Sequence, residues 1–497
     1  MLRTCSLFVV VLSLAPIASA QDARSLLNRS IAAMGGEAAL REIRVLHLEG
    51  IGHEFLIEQS ERPEGPWIAD YISTVEDRDE HGRSRIATQD RSFQSPDWSA
   101  PRTTVYDGES VATDAGGKFA PLAWRWADTV QRVDLAPERV LFLARDASDV
   151  RTLADVRVQD VMQHVVSFTW KGKPVRLLIN SHDDLLTAVE LRRPDEWGVW
   201  GNITDTTYYS LWTLLPGGVR YPQQLDRTWN GVTFSSVTIV RAAPKPAMDP
   251  TSFAIPADVK AAFAALPPSP AAALKLDVAN RRVEVAPGVV QYGGSWNVEV
   301  VQQPDGLVVI EAPIGSSYAV QVLDELSRRY SGAKVKAVIT TADSWPHIGG
   351  VREYVARGIP VYAMDLNRPI LERLVAADYS SQPDALAKSP RPANFHWISA
   401  KTTIGTGATQ VVLYPARHEN GERMLFAYLP QLKVLYTADE VQRMRSGSFF
   451  MPEYLQEVKD VIAREGLVVE RVFGMHTPPT AWADIEAALA AAKMARH

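Results

Sequence analysis

The chain of 497 residues carries 52 Lys and Arg against 58 Asp and Glu, a formal charge of −6, and a single cysteine. A mildly acidic chain without Lys/Arg blocks lacks the electrostatic footprint of a nucleic-acid or anionic-membrane binder. Beyond the leader no stretch reaches ~18 uninterrupted apolar residues, so no transmembrane helix is expected.

Arg3 supplies a positive n-region, Leu7 to Leu14 an apolar h-region, and Ala18-Ser19-Ala20 a cleavage site before Gln21. Residues 1–20 therefore read as a secretory signal peptide and the protein as exported, either periplasmic or secreted. Cys5 sits at the start of the h-region, away from the cleavage site, which argues against lipid modification there. Its removal leaves no thiol, and so excludes disulfides, cysteine redox chemistry and cysteine metal ligands. Nothing in the composition bears on oligomeric state.

Residues 21–243 open with a helical pattern from Asp22 to about Ile43, broken by Gly35-Gly36, and then read mainly as antiparallel strands. Val165 to Trp170 and Val175 to Asn180 flank a Lys171-Gly172-Lys173 turn, Leu185 to Leu191 follows, and Thr204 to Leu211 alternates. Asn230-Gly231 between Trp229 and Val232 is a hairpin signal, because both central residues of a type I′ turn need positive φ. Asp134 to Arg145 is expected as one helix crossing the sheet. Aromatics favour strands, and Trp67, Trp98, Trp124, Trp126, Trp170, Trp197, Trp200, Trp212 and Trp229 all fall here. They fit either a large sheet core or an apolar cavity for a lipid-like ligand. The helix end Ala33-Met34-Gly35-Gly36, the strand Leu46 to Gly50 and the closing Phe253-Ala254-Ile255-Pro256 resemble the half-barrel domains of the lipoprotein-carrier type.

Residues 244–275 are rich in Pro and Ala, with a short helix at Ala257 to Ala265, and read as a semi-rigid linker. Residues 276–497 then alternate strands and helices. Val285-Ala286-Pro287-Gly288-Val289 opens the series. Trp296 to Val301 and Gly306 to Glu311 form early strands, and Ser317 to Tyr330 a helix. The β-branched run Val335 to Ile339 leads into Thr340-Thr341-Ala342-Asp343-Ser344-Trp345-Pro346-His347-Ile348-Gly349-Gly350. An amphipathic helical pattern (Ile348, Val351, Tyr354, Val355) and a strand, Ile359 to Ala363, follow. Such a loop stands where α/β proteins place ligands. Later strands end near His418, at Asp439 and at His476.

In register and spacing the loop resembles the T-H-x-H-x-D-H-x-G-G loop of the metallo-β-lactamase-fold hydrolases. Ala342 and Ser344 stand at the first two histidine positions, Pro346 at the aspartate, and His347 at the last histidine. Val411 to Pro415 before His418, Lys433 to Asp439 with Ala438 in place of the usual glycine, and Val472 to His476 resemble the family's later ligand-bearing strands. Glu311-Ala312-Pro313 falls where the family commonly carries an aspartate. The fold class expected is α+β/αββα: an N-terminal, mostly antiparallel β half-barrel with a helix, and a C-terminal four-layer αβ/βα sandwich.

The resemblance implies two zinc sites. The first would retain only His418 of its three histidines, too few for an ion that takes about four ligands. The second would retain His347, Asp439 and His476, two imidazoles and a carboxylate with a position left open, which suits one Zn2+ (or Fe) per chain. His418 would then orient water or substrate, and Asp343 would serve as a base or ligand or else tie down the loop. One expectation is an exported metal-dependent hydrolase of a small-molecule substrate. The other is a catalytically silent domain that binds a small molecule, a lipid-like ligand or a partner. His47, Glu49, His53 and His396 lack partners at metal spacing. No G-x-S-x-G elbow, P-loop, G-x-G-x-x-G or H-E-x-x-H motif is present.

Overall fold

The computed structural model describes residues 17–57, 67–92, 101–123, 125–195, 199–267, 270–417, 423–444 and 447–494. Most of the leader and His418 lie outside them.

A thirteen-stranded sheet occupies the first half. Two antiparallel meanders, Val45 to Pro121 and Arg151 to Lys245, join where the first strand, Val45–Leu56, pairs with the last, Val232–Lys245. The N-terminal helical pattern is realised as two helices, Ile17–Ala33 and Glu37–Glu42. Gly35 breaks them with φ 118°, and a Cβ there would lie 2.4 Å from the Gly218 carbonyl oxygen. Hairpin turns follow the local code: Lys171 and Gly172 take φ 47° and 75°, and Asn230 and Gly231 take 48° and 83°.

The single helix expected from Asp134 to Arg145 is instead the second of a pair, Trp126–Asp134 and Pro137–Asp146. Pro137 disfavours the helical conformation for the residue before it, and Ala136 is extended (φ −62°, ψ 150°). The proline then starts the next helix, where its missing N–H costs nothing. Val140, Leu141 and Ala144 of that helix pack with Leu27, Ile31, Val166 and Leu177 against one face of the sheet. Within the Pro/Ala-rich stretch, the helix Ala257–Ala264 lays Val259 on Val105 and Ala112 of the same half.

The second half holds a seven-stranded sheet from Arg282 to Ile398 and a six-stranded sheet from Thr402 to Ala481, each with strands in sequence order. Strand alternation sorts the side chains into three apolar layers. Val308 and Ile310 face the second sheet, meeting Leu413, Ala427 and Tyr436. Leu307 and Val309 face helices, with Val322, Leu326 and Tyr354. On the far side Val412, Phe426 and Leu435 pack against Leu455, Val458 and Ile485 of two C-terminal helices. The order is helix, sheet, sheet, helix. Among the described residues no helix is long and apolar enough to cross a membrane.

Candidate metal centre

Four strand ends, in two parallel pairs, deliver the site. Gly306–Ile310 pairs with Val335–Ile339, with Ile310 beside Ile339, so Glu311 and the Thr340–Gly350 loop leave the sheet at one level. In the other sheet Val434–Tyr436 pairs with Arg471–Gly474, with Tyr436 beside Phe473. Asp439 and His476 each follow three residues later and therefore arrive together. Carboxyl ends of parallel strands are where such folds place ligands.

His347 sits on the short helical turn Trp345–Ile348. Its carbonyl accepts from Ala312 N at 3.1 Å, and Gly350 N donates to Ala312 O at 2.7 Å. Gly349 makes this packing possible, since a Cβ there would lie 2.2 Å from Ile314 O. Leu425 N donates to Thr341 O at 2.8 Å and ties the loop to the second sheet.

The wholly buried His347 ring lies between two carboxylates. Nε2 is 2.7 Å from Asp439 Oδ2, and Nδ1 is 2.8 Å from Glu311 Oε2, out of line for a straight hydrogen bond. His476 Nε2 is 3.2 Å from Asp439 Oδ1 and partly exposed. One ligand atom from each of His347, Asp439 and His476 lies within 4.8 Å of the others, the one such group of three among the described residues. Burial disfavours the His347 imidazolium, but Asp439 and Glu311 outweigh it and hold the pKa well above 6.5. Burial likewise opposes the Asp439 carboxylate, and His347 and His476 reverse that, leaving it far below the usual range.

Behind the imidazole, Glu311 accepts from Thr341 Oγ1 and, at 3.0 Å, from Tyr436 Oη. Next to it Glu299 is fully buried, accepts from Gln291 Nε2 at 2.9 Å, and is pushed well above the carboxylate range by burial and then by Glu311. Two backbone outliers frame the site: Glu311 at φ 81° and Ala438 at φ 50°. Non-glycine residues held there cost about 1–3 kcal/mol each, and such strain clusters at functional sites.

Asp343 does not join the triad. Its Oδ2 lies 2.7 Å from Arg423 Nη1, with both side chains nearly buried. Arg423 Nε donates to Asn367 Oδ1 at 3.1 Å, and Asn367 Nδ2 returns a bond to Arg423 O at 2.9 Å. Ala342 and Ser344 are buried beside it. His47 is held by Asp77, Glu49 and Lys245, and His396 stacks on Tyr362. Glu311, Glu299, Tyr436 and Arg423 were not picked out as site residues from the sequence. For Glu311 two signals were available, its position at the end of an apolar strand and its match to a place where the resembled family commonly carries an aspartate.

The donor set suits a mid-sized divalent cation: two imidazoles and one carboxylate, with His476 and Asp439 facing the open side. Glu311 against Nδ1 of His347 supplies the carboxylate–histidine pairing that metal-ligating histidines normally have.

No protein-family model matches the chain, and no curated protein does. Solved structures do. A metallo-β-lactamase from Pontibacter korlensis is 15% identical, covers 44% of this chain and 97% of its own, with a TM-score of 0.33. The mono-zinc form of a Pseudomonas aeruginosa metallo-β-lactamase is 14% identical over 43% and 95%, at 0.33. A stereoselective inverting sec-alkylsulfatase from Pseudomonas sp. is 17% identical over 42% and 40%, at 0.32. The helix–sheet–sheet–helix order stands on this chain's own strand pairing, and over less than half its length the chain is similar to these proteins.

Proposed function

We propose that this chain is an exported hydrolase acting on a small-molecule substrate through one divalent metal ion, zinc or iron, held by His347, Asp439 and His476. The observation that carries the reading is the convergence of these three donors within 4.8 Å at strand ends. When bound, the ion supplies Lewis acidity, polarising a carbonyl or phosphoryl oxygen and making water a better nucleophile near neutral pH. Glu311 lies against Nδ1 and would hold the His347 ring, leaving Nε2, on the Asp439 side, as the donor an ion would use. Thr341 and Tyr436 hold Glu311 in turn. The Asp343–Arg423 pair shapes the loop rather than handling protons, since its carboxylate is already committed to a guanidinium. In this reading His418 orients water or substrate, and residues 1–20 direct export.

A second reading, a silent binding domain, draws on that same pair: Arg423 puts a fixed organic cation beside the loop positions of Ala342 and Ser344. Elemental mass spectrometry on the purified protein, beside a His347→Ala/His476→Ala double variant, separates the two. About one zinc or iron per chain, lost in the variant, supports the hydrolase and starts a screen of esters, lactams and phosphodiesters. No metal after equilibration with zinc and iron refutes it in favour of the silent domain.

A further inference from the structure

His476 stands at the tip of a hairpin whose own backbone does not favour the turn it makes. Gly474 pairs with Thr477 across the strands Arg471–Gly474 and Thr477–Ala481, so Met475 and His476 form a two-residue connection. Such connections usually take turns with positive φ at one or both central residues, which match the twist of the flanking strands. Neither Met475 nor His476 has a positive φ. Hydrogen bonds from outside the hairpin compensate.

Two buried amides reach the turn from the other sheet. Gln291 and Asn297 are 3% and 6% exposed. Gln291 Nε2 donates to Gly474 O at 3.1 Å and to Thr477 O at 3.2 Å. Asn297 Nδ2 donates to Gly474 O at 3.2 Å, and Asn297 N to Met475 O at 3.2 Å. Carbonyls before, within and after the turn are thus all engaged. Glu299, opposite Gln291 in the strand register, fixes the direction of that amide by accepting from the same Nε2 at 2.9 Å.

The three metal donors come from both sheets: His347 follows a strand of the first, and Asp439 and His476 follow strands of the second. Apolar packing between sheets is non-directional and sets no fine register. Hydrogen bonds are directional and do. Within the second sheet, Thr477 Oγ1 donates to Val441 O, two residues past Asp439, and ties the His476 turn to the Asp439 turn. The Gln291 and Asn297 amides then set that pair against the sheet that carries His347.

We infer that Gln291 and Asn297 are positioning residues of the metal centre: by fastening the Gly474–Thr477 turn across the two sheets, they aim the His476 imidazole at the place shared with His347 and Asp439. The inference rests on the metal-binding reading and adds to it two residues that touch no ion. A ligand held in place beforehand loses less conformational freedom on binding, so the effect falls on metal affinity.

The test, on the full chain, is zinc affinity by competition with a chromophoric chelator, together with the visible spectrum of the cobalt(II)-saturated protein. Asn297→Ala and Gln291→Met should each weaken zinc about 10–100-fold, the usual effect of removing a group that orients a ligand. At saturating cobalt each spectrum should move toward that of His476→Ala, because the misaimed imidazole no longer ligates. Leu489→Ala opens a cavity in the core behind the second sheet, away from the turn, and should leave affinity and spectrum at wild-type values. Asn297→Ala keeps Gln291 on the same carbonyl and should retain the fold, checked by circular dichroism; it decides the matter alone where Gln291→Met does not fold. Wild-type affinity and spectrum in Asn297→Ala, or an equal loss in Leu489→Ala, overturns the inference and leaves the metal site standing. A wild type that takes up no metal overturns the metal-binding reading itself, and the inference with it.

Discussion

Glu311 Oε2 lies 2.8 Å from His347 Nδ1, and both side chains are wholly buried. A carboxylate is placed there without solvent, at the expense of a positive φ, which makes its charge the feature to test. Glu311→Gln keeps the size and the acceptor for Tyr436 but removes that charge. Zinc affinity, measured by competition with a chromophoric chelator, should fall about 10–100-fold, the usual effect of losing such a supporting group. An unchanged affinity would mean that Glu311 only fills space.

Burial, and then Glu311, raises the pKa of Glu299 well above its ordinary 4.5. In the unfolded chain it ionises near 4.5. Its contribution to stability is therefore fully present below that value and is lost as pH rises through the raised folded value. Glu299→Gln retains an Oε1 acceptor for Gln291 without the ionisation. The Tm of the variant, read by scanning calorimetry, should gain on the wild type as the pH rises above about 4.5.

The N-terminal half should respond in the opposite sense. Burial opposes the charged forms of Glu76 and Asp128, but Arg132 and Arg78 for the first, and Arg227, Arg125 and Arg193 for the second, hold both far below their ordinary values. Their stabilisation is complete above about 4.5 and 3.8 and is lost as the pH falls below those values. Urea unfolding followed by tryptophan fluorescence should show a midpoint that is level near neutrality and drops on acidification past this window.

Arg423→Ala should destabilise the C-terminal half by about 3–5 kcal/mol, because it strips the guanidinium from a nearly buried Asp343. Asp343→Asn should cost less, since it removes the charge along with the pairing. Metal content should stay at the wild-type level in both, because neither residue touches the triad. Chemical denaturation and elemental analysis on the same samples check the two halves of this expectation.

Local chemistry was legible wherever neighbours in sequence are neighbours in space. The Asn230-Gly231 and Lys171-Gly172 turns needed only their own φ preferences. The alternation of Leu307, Val308, Val309 and Ile310 already contained two apolar faces. The break before Pro137 is equally local: the proline keeps Ala136 out of the helical region and so divides the helix expected from Asp134 to Arg145. The pairing of Arg423 with Asp343, and of Glu311 with His347, left no comparable trace.

The sequence by itself determined the periodicities, the turns and which side chains could act as metal donors. Tertiary structure alone decided which of them meet. His347 and Asp439 are 92 residues apart, and they converge through parallel strand register and the packing of one sheet on another. Those contacts depend on how distant segments align, and no local pattern of residues encodes that alignment.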